Sequence, residues 1–413
     1  MTFFRTAKSF PTKKSKKGPS AFKKISSVLH LWLGLASGMI VFIVSITGAI
    51  YVFEREICNT AEPWRFVNPS GQKLKPSVLY QIAKKTLGDK QATGIRYGLP
   101  DEAAEVSAYS RKDGYYIVVY INPYTGKLLK KTITDYNKPA FDFFQFVLNG
   151  HRALWLPYKI GRPIVGVAVL VFVVLMITGM VLWWPQKWIK SIRDKSFKVK
   201  WNASFKRVNY DLHNVLGFYS MLFLFIITLT GLIWSFEWVS KSIYWATSGG
   251  KSLPEFSKTL SDSTSTKTFT LASIDALWIK LNQNKQPEGL NFSLPQKKAD
   301  VIQIIETLRA GTYYTNNFLS FDQYSLTPIK GSGINARSYA DATFANKLRR
   351  MNYDLPVGAI LGIPGKLIAF FASLIAASLP VTGFYIWWGR RNKKPAKKRV
   401  ITSVNSLNAQ GIM

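Results

Sequence analysis

Four long apolar stretches constrain this 413-residue chain more than any other feature. They lie within residues 28–53, 161–185, 212–236 and 356–388, and each holds more than twenty consecutive residues almost free of charge. That length crosses a hydrocarbon core of about 30 Å as a helix. The spacing therefore predicts a four-helix transmembrane bundle. The first stretch does not read as a cleavable leader, because its apolar run is too long and no small-x-small site with a polar flank follows it.

The charge points to the same class. Fifty-five Lys and Arg against 22 Asp and Glu give a net charge of +33, but the cations are clustered rather than spread along one module. Residues 1–27 carry Arg5, Lys8, Lys13, Lys14, Lys16, Lys17, Lys23 and Lys24 with no acid. Residues 186–211 carry eight cations from Lys187 to Arg207, and residues 389–413 carry seven from Arg390 to Arg399. Short basic segments beside apolar spans stay on the cytoplasmic side and touch anionic lipid. The expected partner is thus the bilayer and not nucleic acid, with both termini cytoplasmic. A single cysteine, Cys58, excludes internal disulfides and Cys-rich metal sites.

The remaining regions, 54–160 and 237–355, are mixed in charge and fall outside the cell membrane on this topology. They resemble each other. Pro76–Leu87 and Leu271–Leu281 both read as helices, Tyr115–Ile121 alternates as a strand, and the turn Asn122-Pro123-Tyr124-Thr125-Gly126 is echoed by Phe321-Asp322-Gln323-Tyr324-Ser325. Each region reads as a small α+β module with a helix on an antiparallel sheet. Neither offers a nucleophile–base constellation, so no catalytic residue is assigned.

Only three histidines are present, and they fall into a repeat. His30, at the cytoplasmic entrance of the first span, is followed four residues on by Gly34 and seventeen residues on by Thr47-Gly48. His213, at the same entrance of the third span, is followed at the same spacings by Gly217 and by Thr230-Gly231. Residues four apart share a helix face, so each imidazole has beside it a glycine that leaves the surface flat for a bulky ring. Two such helices facing each other would hold a porphyrin between His30 and His213.

The second and fourth spans form the other half of the repeat. His151 precedes the second span, which closes with Thr178-Gly179 and Trp183-Trp184; the fourth closes with Thr382-Gly383 and Trp387-Trp388. The segment Arg207-Val-Asn-Tyr-Asp-Leu-His213 recurs as Arg350-Met-Asn-Tyr-Asp-Leu-Pro356. Position 356 is thus where the pattern calls for a fourth histidine, and it holds proline. On this plan the inner site is complete, whereas the outer one keeps only His151. Arg152, Lys206 and Arg207 stand beside the histidines, where a cation would pair with haem propionates. The Thr-Gly pairs read as close-packing steps with the hydroxyl bonded to the preceding turn. The tryptophan pairs read as interfacial belts, Pro380 as a kink and Cys58 as inert.

Taken together, HLWLGLASG with SITGAIYVF, the turn INPYTGKLL, VNYDLHNVLGFY and PVTGFYIWWGRR resemble the PepSY-associated transmembrane proteins, iron-regulated inner-membrane proteins that include ferric-siderophore reductases. The resemblance spans nearly the whole chain. It implies a four-helix b-type cytochrome of the bacterial inner membrane with two extracytoplasmic PepSY-like modules. Such a protein passes electrons from a cytoplasmic or quinol donor to a ferric siderophore or other ferric chelate on the periplasmic side. His30 and His213 match the inner haem b ligands and His151 one outer ligand. Pro356 departs from the pattern, which leaves the outer haem five-coordinate on His151, completed by a side chain such as Met351, or absent. No Gly-x-Gly-x-x-Gly fingerprint for a nicotinamide or flavin occurs. The competing reading is a non-catalytic PepSY scaffold or regulator that binds a protein partner. A transporter is disfavoured because the spans show no intramembrane carboxylate or lysine to line a polar path.

Overall fold

The computed structural model of the protein describes residues 20–137, 140–185, 188–284 and 287–392. Of the basic segments, Arg5 to Lys17, Lys187 and Lys393 to Arg399 lie outside the described residues. The first half runs α1 (Ala21–Tyr51), α2 (Glu54–Ala61), α3 (Pro76–Leu87), β1 (Gly94–Tyr97), β2 (Ala104–Ser110), β3 (Tyr115–Ile121), β4 (Leu128–Asp135), α4 (Phe143–Ala153) and α5 (Tyr158–Trp183). After α6 (Lys190–Phe197) the order repeats as α7 (Phe205–Ser235), α8 (Glu237–Thr247), α9 (Leu271–Asn284), β5 (Gly289–Ser293), β6 (Ile302–Thr307), β7 (Asn317–Phe321), β8 (Pro328–Ile329), α10 (Phe344–Arg350) and α11 (Ile363–Arg391).

Helices α1, α5, α7 and α11 are the four apolar spans, each long enough to cross a membrane. Both α1 and α7 pack against α5 and α11, so they sit on opposite corners of the bundle. Small residues line the interior: Ser37, Gly38 and Ala49 of α1, Gly166 and Ala168 of α5, and Ala369, Ala372 and Ala376 of α11 are buried. Large side chains such as Trp32, Met39, Leu222 and Phe371 point outward. This inversion of a soluble core is what lipid-facing helices require, because association in hydrocarbon depends on close backbone approach. Pro380, inside α11, packs against Gly38, where a Cβ would lie 3.2 Å from the ring. Helix α1 begins earlier than its apolar run, at a Ser20 cap whose hydroxyl accepts from Lys23 N–H. Helix α11 begins at Ile363, after Gly358 and Gly362 turn the chain through left-handed conformations, and Pro356 lies in the turn before them.

The two α+β regions share one eight-stranded antiparallel sheet, ordered β4-β3-β2-β1-β5-β6-β7-β8. Their seam is β1 against β5, with Ile95 opposite Phe292 and Tyr97 opposite Leu290. Strand alternation gives the sheet two distinct faces. On one, Ile95, Val106, Ile117, Val119, Phe292, Ile302 and Ile304 are almost wholly buried with Leu79 and Ala83 of α3 and Ile274 and Leu277 of α9. The two helices are tied by Asp275, which accepts from Ser77 N–H at 2.9 Å and from the Ser77 hydroxyl at 2.6 Å. That carboxylate sits on the open N–H groups at the start of α3, where negative charge is favoured. The opposite face carries Arg96, Glu105, Tyr116 and Tyr120 and looks onto the end of the bundle.

The expected turns are present in both halves. Asn122 Oδ1 accepts from Tyr124 N–H (2.9 Å) and Thr125 N–H (3.2 Å). Asp322 Oδ1 accepts from Tyr324 N–H (3.0 Å) and Ser325 N–H (2.8 Å).

Candidate functional site: imidazoles held by threonine–glycine steps

His30 and His213 come together across the bundle. Their ring centroids are 6.3 Å apart and their planes are perpendicular. They lie on diagonally opposed helices at the end of the bundle where Lys23 and Arg207 sit, and they approach without sharing a helix–helix seam.

Each ring is held by the Thr-Gly step of a neighbouring helix. Thr178 of α5 lies 3.0 Å from His30 Nδ1, and Thr382 of α11 lies 2.9 Å from His213 Nδ1. Both threonines already donate their hydroxyl proton back along their own helix, Thr178 to Val174 O at 2.8 Å and Thr382 to Ser378 O at 2.9 Å. A hydroxyl has one proton to give. It therefore accepts from the imidazole, which assigns the proton to Nδ1 and leaves the Nε2 lone pair free on both rings.

The following glycine supplies the room. A Cβ at Gly179 would lie 3.2 Å from His30 Cε1, and one at Gly383 would lie 3.2 Å from His213 Cε1. The pairs that read as packing steps thus do bond back to the preceding turn, and they also fix a histidine on the next helix. Gly34 and Gly217 have a different setting: the nearest atoms to a Cβ there are methyls of Leu175 at 3.8 Å and Leu379 at 3.6 Å. The helix surface one turn from each imidazole thus carries no side chain of its own and is covered by a leucine methyl of the neighbouring helix.

The same device recurs at the sheet end of the bundle. His151, in α4, donates from Nδ1 to Val44 O at 2.9 Å, with Thr47 Oγ1 3.5 Å away, and a Cβ at Gly48 would lie 3.0 Å from its Cε1. A carbonyl only accepts, so Nε2 again carries the free lone pair. Burial holds this imidazole below its ordinary pKa; the Val44 bond opposes that shift and nearby Arg152 adds to it. The neutral ring is the form able to ligate a metal.

The fourth step is Thr230-Gly231. A Cβ at Gly231 would meet only Val169, at 3.8 Å, and no imidazole. The frame around it is nonetheless preserved. Asn352 Nδ2 donates to Thr230 O at 3.3 Å, as Asn209 Nδ2 donates to Thr382 O at 3.0 Å. These are equivalent asparagines of the repeated Asn-Tyr-Asp-Leu segment, so Pro356 stands in register with His213. Met351 lies at the C-terminal cap of α10.

The neighbouring cations are placed differently. Arg207 forms a two-point ion pair with the fully buried Asp211, Nε to Oδ2 at 2.9 Å and Nη2 to Oδ1 at 2.8 Å. Arg152 is exposed in the last turn of α4. Cys58 of α2 has its thiol pKa pushed up to about 11 by burial, with Glu54 and Glu62 adding to it, so it stays protonated and unreactive. Among the described residues, no three His, Cys, Asp or Glu side chains converge as a metal cage.

The sequence signal for the histidine–Thr-Gly pairing was the recurrence of four Thr-Gly steps against three histidines. Which step serves which histidine became readable only once helix neighbours were known.

A family model described as the PepSY-associated TM region matches residues 27–390, nearly the whole chain. No curated protein matches it.

Proposed function

Because the chain belongs to the PepSY-associated TM region family, a multi-pass membrane family by its own four spans, we propose that it is a b-type cytochrome that carries electrons across the bacterial inner membrane to a ferric chelate. The observation that carries this reading is the His30–His213 pair. An imidazole nitrogen sits about 2.0 Å from a ligated metal, so two rings that would hold one metal between them need centroids about 6 Å apart. The observed separation is 6.3 Å, and both Nε2 lone pairs are free. Among the described residues, two imidazoles without a third His, Cys, Asp or Glu beside them suit a metal that a cofactor brings with its own ligands.

His30 and His213 would hold haem b through their free Nε2 atoms. When bound, haem supplies a one-electron carrier cycling between Fe(III) and Fe(II). Thr178 and Thr382 hold the imidazole protons at Nδ1, which fixes ring orientation and raises ligand basicity. Arg207, already anchored by Asp211, keeps N–H donors for a carboxylate. At the sheet end the frame offers one imidazole, His151, against proline at position 356, so one low-spin haem is expected at the paired site; the sheet end lies about 30 Å further along α1, and a second carrier held at His151 would have to complete the electron path. The basic segments support a position of that site near the cytoplasmic face, within reach of a cytoplasmic or quinol donor. The sheet then lies in the periplasm. One electron converts a chelated Fe(III) to Fe(II) there, and the hard oxygen donors of a siderophore hold the lower charge less tightly.

The test uses proteoliposomes with a reductant sealed inside and a ferric trihydroxamate chelate with a ferrous indicator outside. Ferrous complex should accumulate with the wild type and not with His213→Ala. A wild-type rate equal to that of protein-free liposomes contradicts the reading.

A further inference from the structure

Between the outward face of the sheet and the end of the bundle lies a cavity of about 590 Å³, within the size range of small-molecule sites. Its floor includes Tyr51 of α1 and Val52, which caps that helix. Val52 N–H donates to Gly48 O at 3.2 Å, so the floor stands one helical turn from the glycine against which His151 packs.

The charge of its wall runs against that of the chain. In a protein of net +33, an anionic ligand would be expected to find free cations. Among the described residues four cations reach this cavity, and every one is already paired. Arg55 meets Glu102 at 3.4 Å, and Arg96 bridges Glu102 at 3.1 Å and Glu105 at 2.6 Å. Arg65 is held by Glu62, and Lys366 lies 2.6 Å from Glu56; these two acids stand behind the wall rather than in it. Glu54 and Glu288 also line the cavity, and neither forms an ion pair among the described residues. The wall therefore presents carboxylates and tyrosines and, among the described residues, no uncommitted cation.

We propose that this cavity is the outer ligand site and that it takes a compact iron(III) chelate of neutral or single positive charge in preference to an anionic one. The proposal rests on the function proposed above and adds the charge class of its substrate. A polyanion entering here would face Glu54 and Glu288 and would have to break a wall ion pair to gain a partner, the kind of like-charge juxtaposition that excludes wrong ligands.

The experiment measures binding by the full-length protein in detergent, using redox-inactive gallium(III) in place of iron so that no electron transfer is needed. The probes are a gallium trihydroxamate of charge +1, its N-acylated neutral analogue, and a gallium tris-catecholate of charge −3. Isothermal titration should show saturable binding of the first two and at least about thirtyfold weaker binding of the third. Glu54→Gln should weaken the +1 chelate about five- to tenfold and leave the neutral analogue within twofold. The neutral chelate thus reports whether the variant is still folded. Equal or tighter binding of the trianion, or no saturable binding of any probe, overturns the proposal. If gallium chelates fail to bind while the haem spectrum is intact, only the cavity assignment falls; if they bind to a protein with no haem, the electron-transfer reading falls instead.

Discussion

His213 and Thr382 meet at 2.9 Å on facing helices while Thr382 gives its own proton to Ser378 O at 2.9 Å. This pairing dictates which imidazole nitrogen is free. Thr382→Val keeps the shape of the side chain and removes the acceptor. It should lower haem affinity about 10- to 100-fold, as loss of an outer partner to a ligating histidine commonly does. Thr382→Ser should restore it. Competition of each variant with apomyoglobin for haem reads the effect, and unchanged retention in Thr382→Val would mean that the hydroxyl does not orient the ring.

Gly383 and Gly231 are equivalent in the repeat but not in their surroundings. A methyl at Gly383 would press on His213 Cε1 at 3.2 Å, whereas one at Gly231 would meet only Val169 at 3.8 Å. Gly383→Ala should shift the ring by a few tenths of an ångström and release haem faster, by about tenfold. Gly231→Ala should match the wild type within measurement error. Stopped-flow transfer to apomyoglobin separates the two, and similar behaviour of both variants would remove the special role of Gly383.

Position 356 tests the repeat itself. Asn352 and Thr230 already keep the local frame that Asn209 and Thr382 keep around His213. Pro356→His should therefore add a second low-spin haem, with His151 as its other ligand. A pyridine haemochrome count that stays at the wild-type value would show that the register is not sufficient.

Asp322 gives the extramembrane sheet a dependence on acid. Burial alone would raise its pKa, but hydrogen bonds from Asp262, Ser325 and Tyr324 N–H and from the Ser325 hydroxyl outweigh it and hold the carboxyl well below its ordinary range. A depressed folded value means that the stabilisation is complete above the unfolded value of about 3.9 and is lost as pH falls below it. Asp322→Asn keeps the turn geometry of Asn122 without the charge. It should cost on the order of 2 kcal/mol at pH 7, with the gap to wild type closing below about pH 4. Thermal unfolding across pH 3–7 checks this, and a gap that does not narrow would assign the loss to shape rather than charge.

The parts of this architecture carried by a single segment were readable from the chain alone: the four spans from apolar length, and the turns at Asn122–Gly126 and Phe321–Ser325 from composition, though not the side-chain bonds from Asn122 and Asp322 that close them. The histidine repeat was visible as spacing, but its partners were not. Gly34 and Gly217 share a helix face with His30 and His213, so periodicity names them as neighbours, whereas the close contacts come from Gly179 and Gly383 across helix interfaces that no local pattern encodes. The β1–β5 seam was hidden for a similar reason. Gly94–Tyr97 and Gly289–Ser293 are too short to specify partners, and their pairing joins halves separated by two membrane spans. The cavity is not legible in the sequence because Arg96 and Glu105 have the pattern of ordinary solvent-facing residues of alternating strands, and only the fold sets the bundle end opposite them.

A dithionite-reduced-minus-oxidised spectrum of the purified protein, with a haem count per chain, bears most directly on the His30–His213 pair. About one low-spin haem is expected, abolished in His213→Ala or His30→Ala and largely retained in His151→Ala. Wild-type protein made with ample haem and showing no Soret band, or a haem that survives His213→Ala unchanged, would contradict ligation by these two rings.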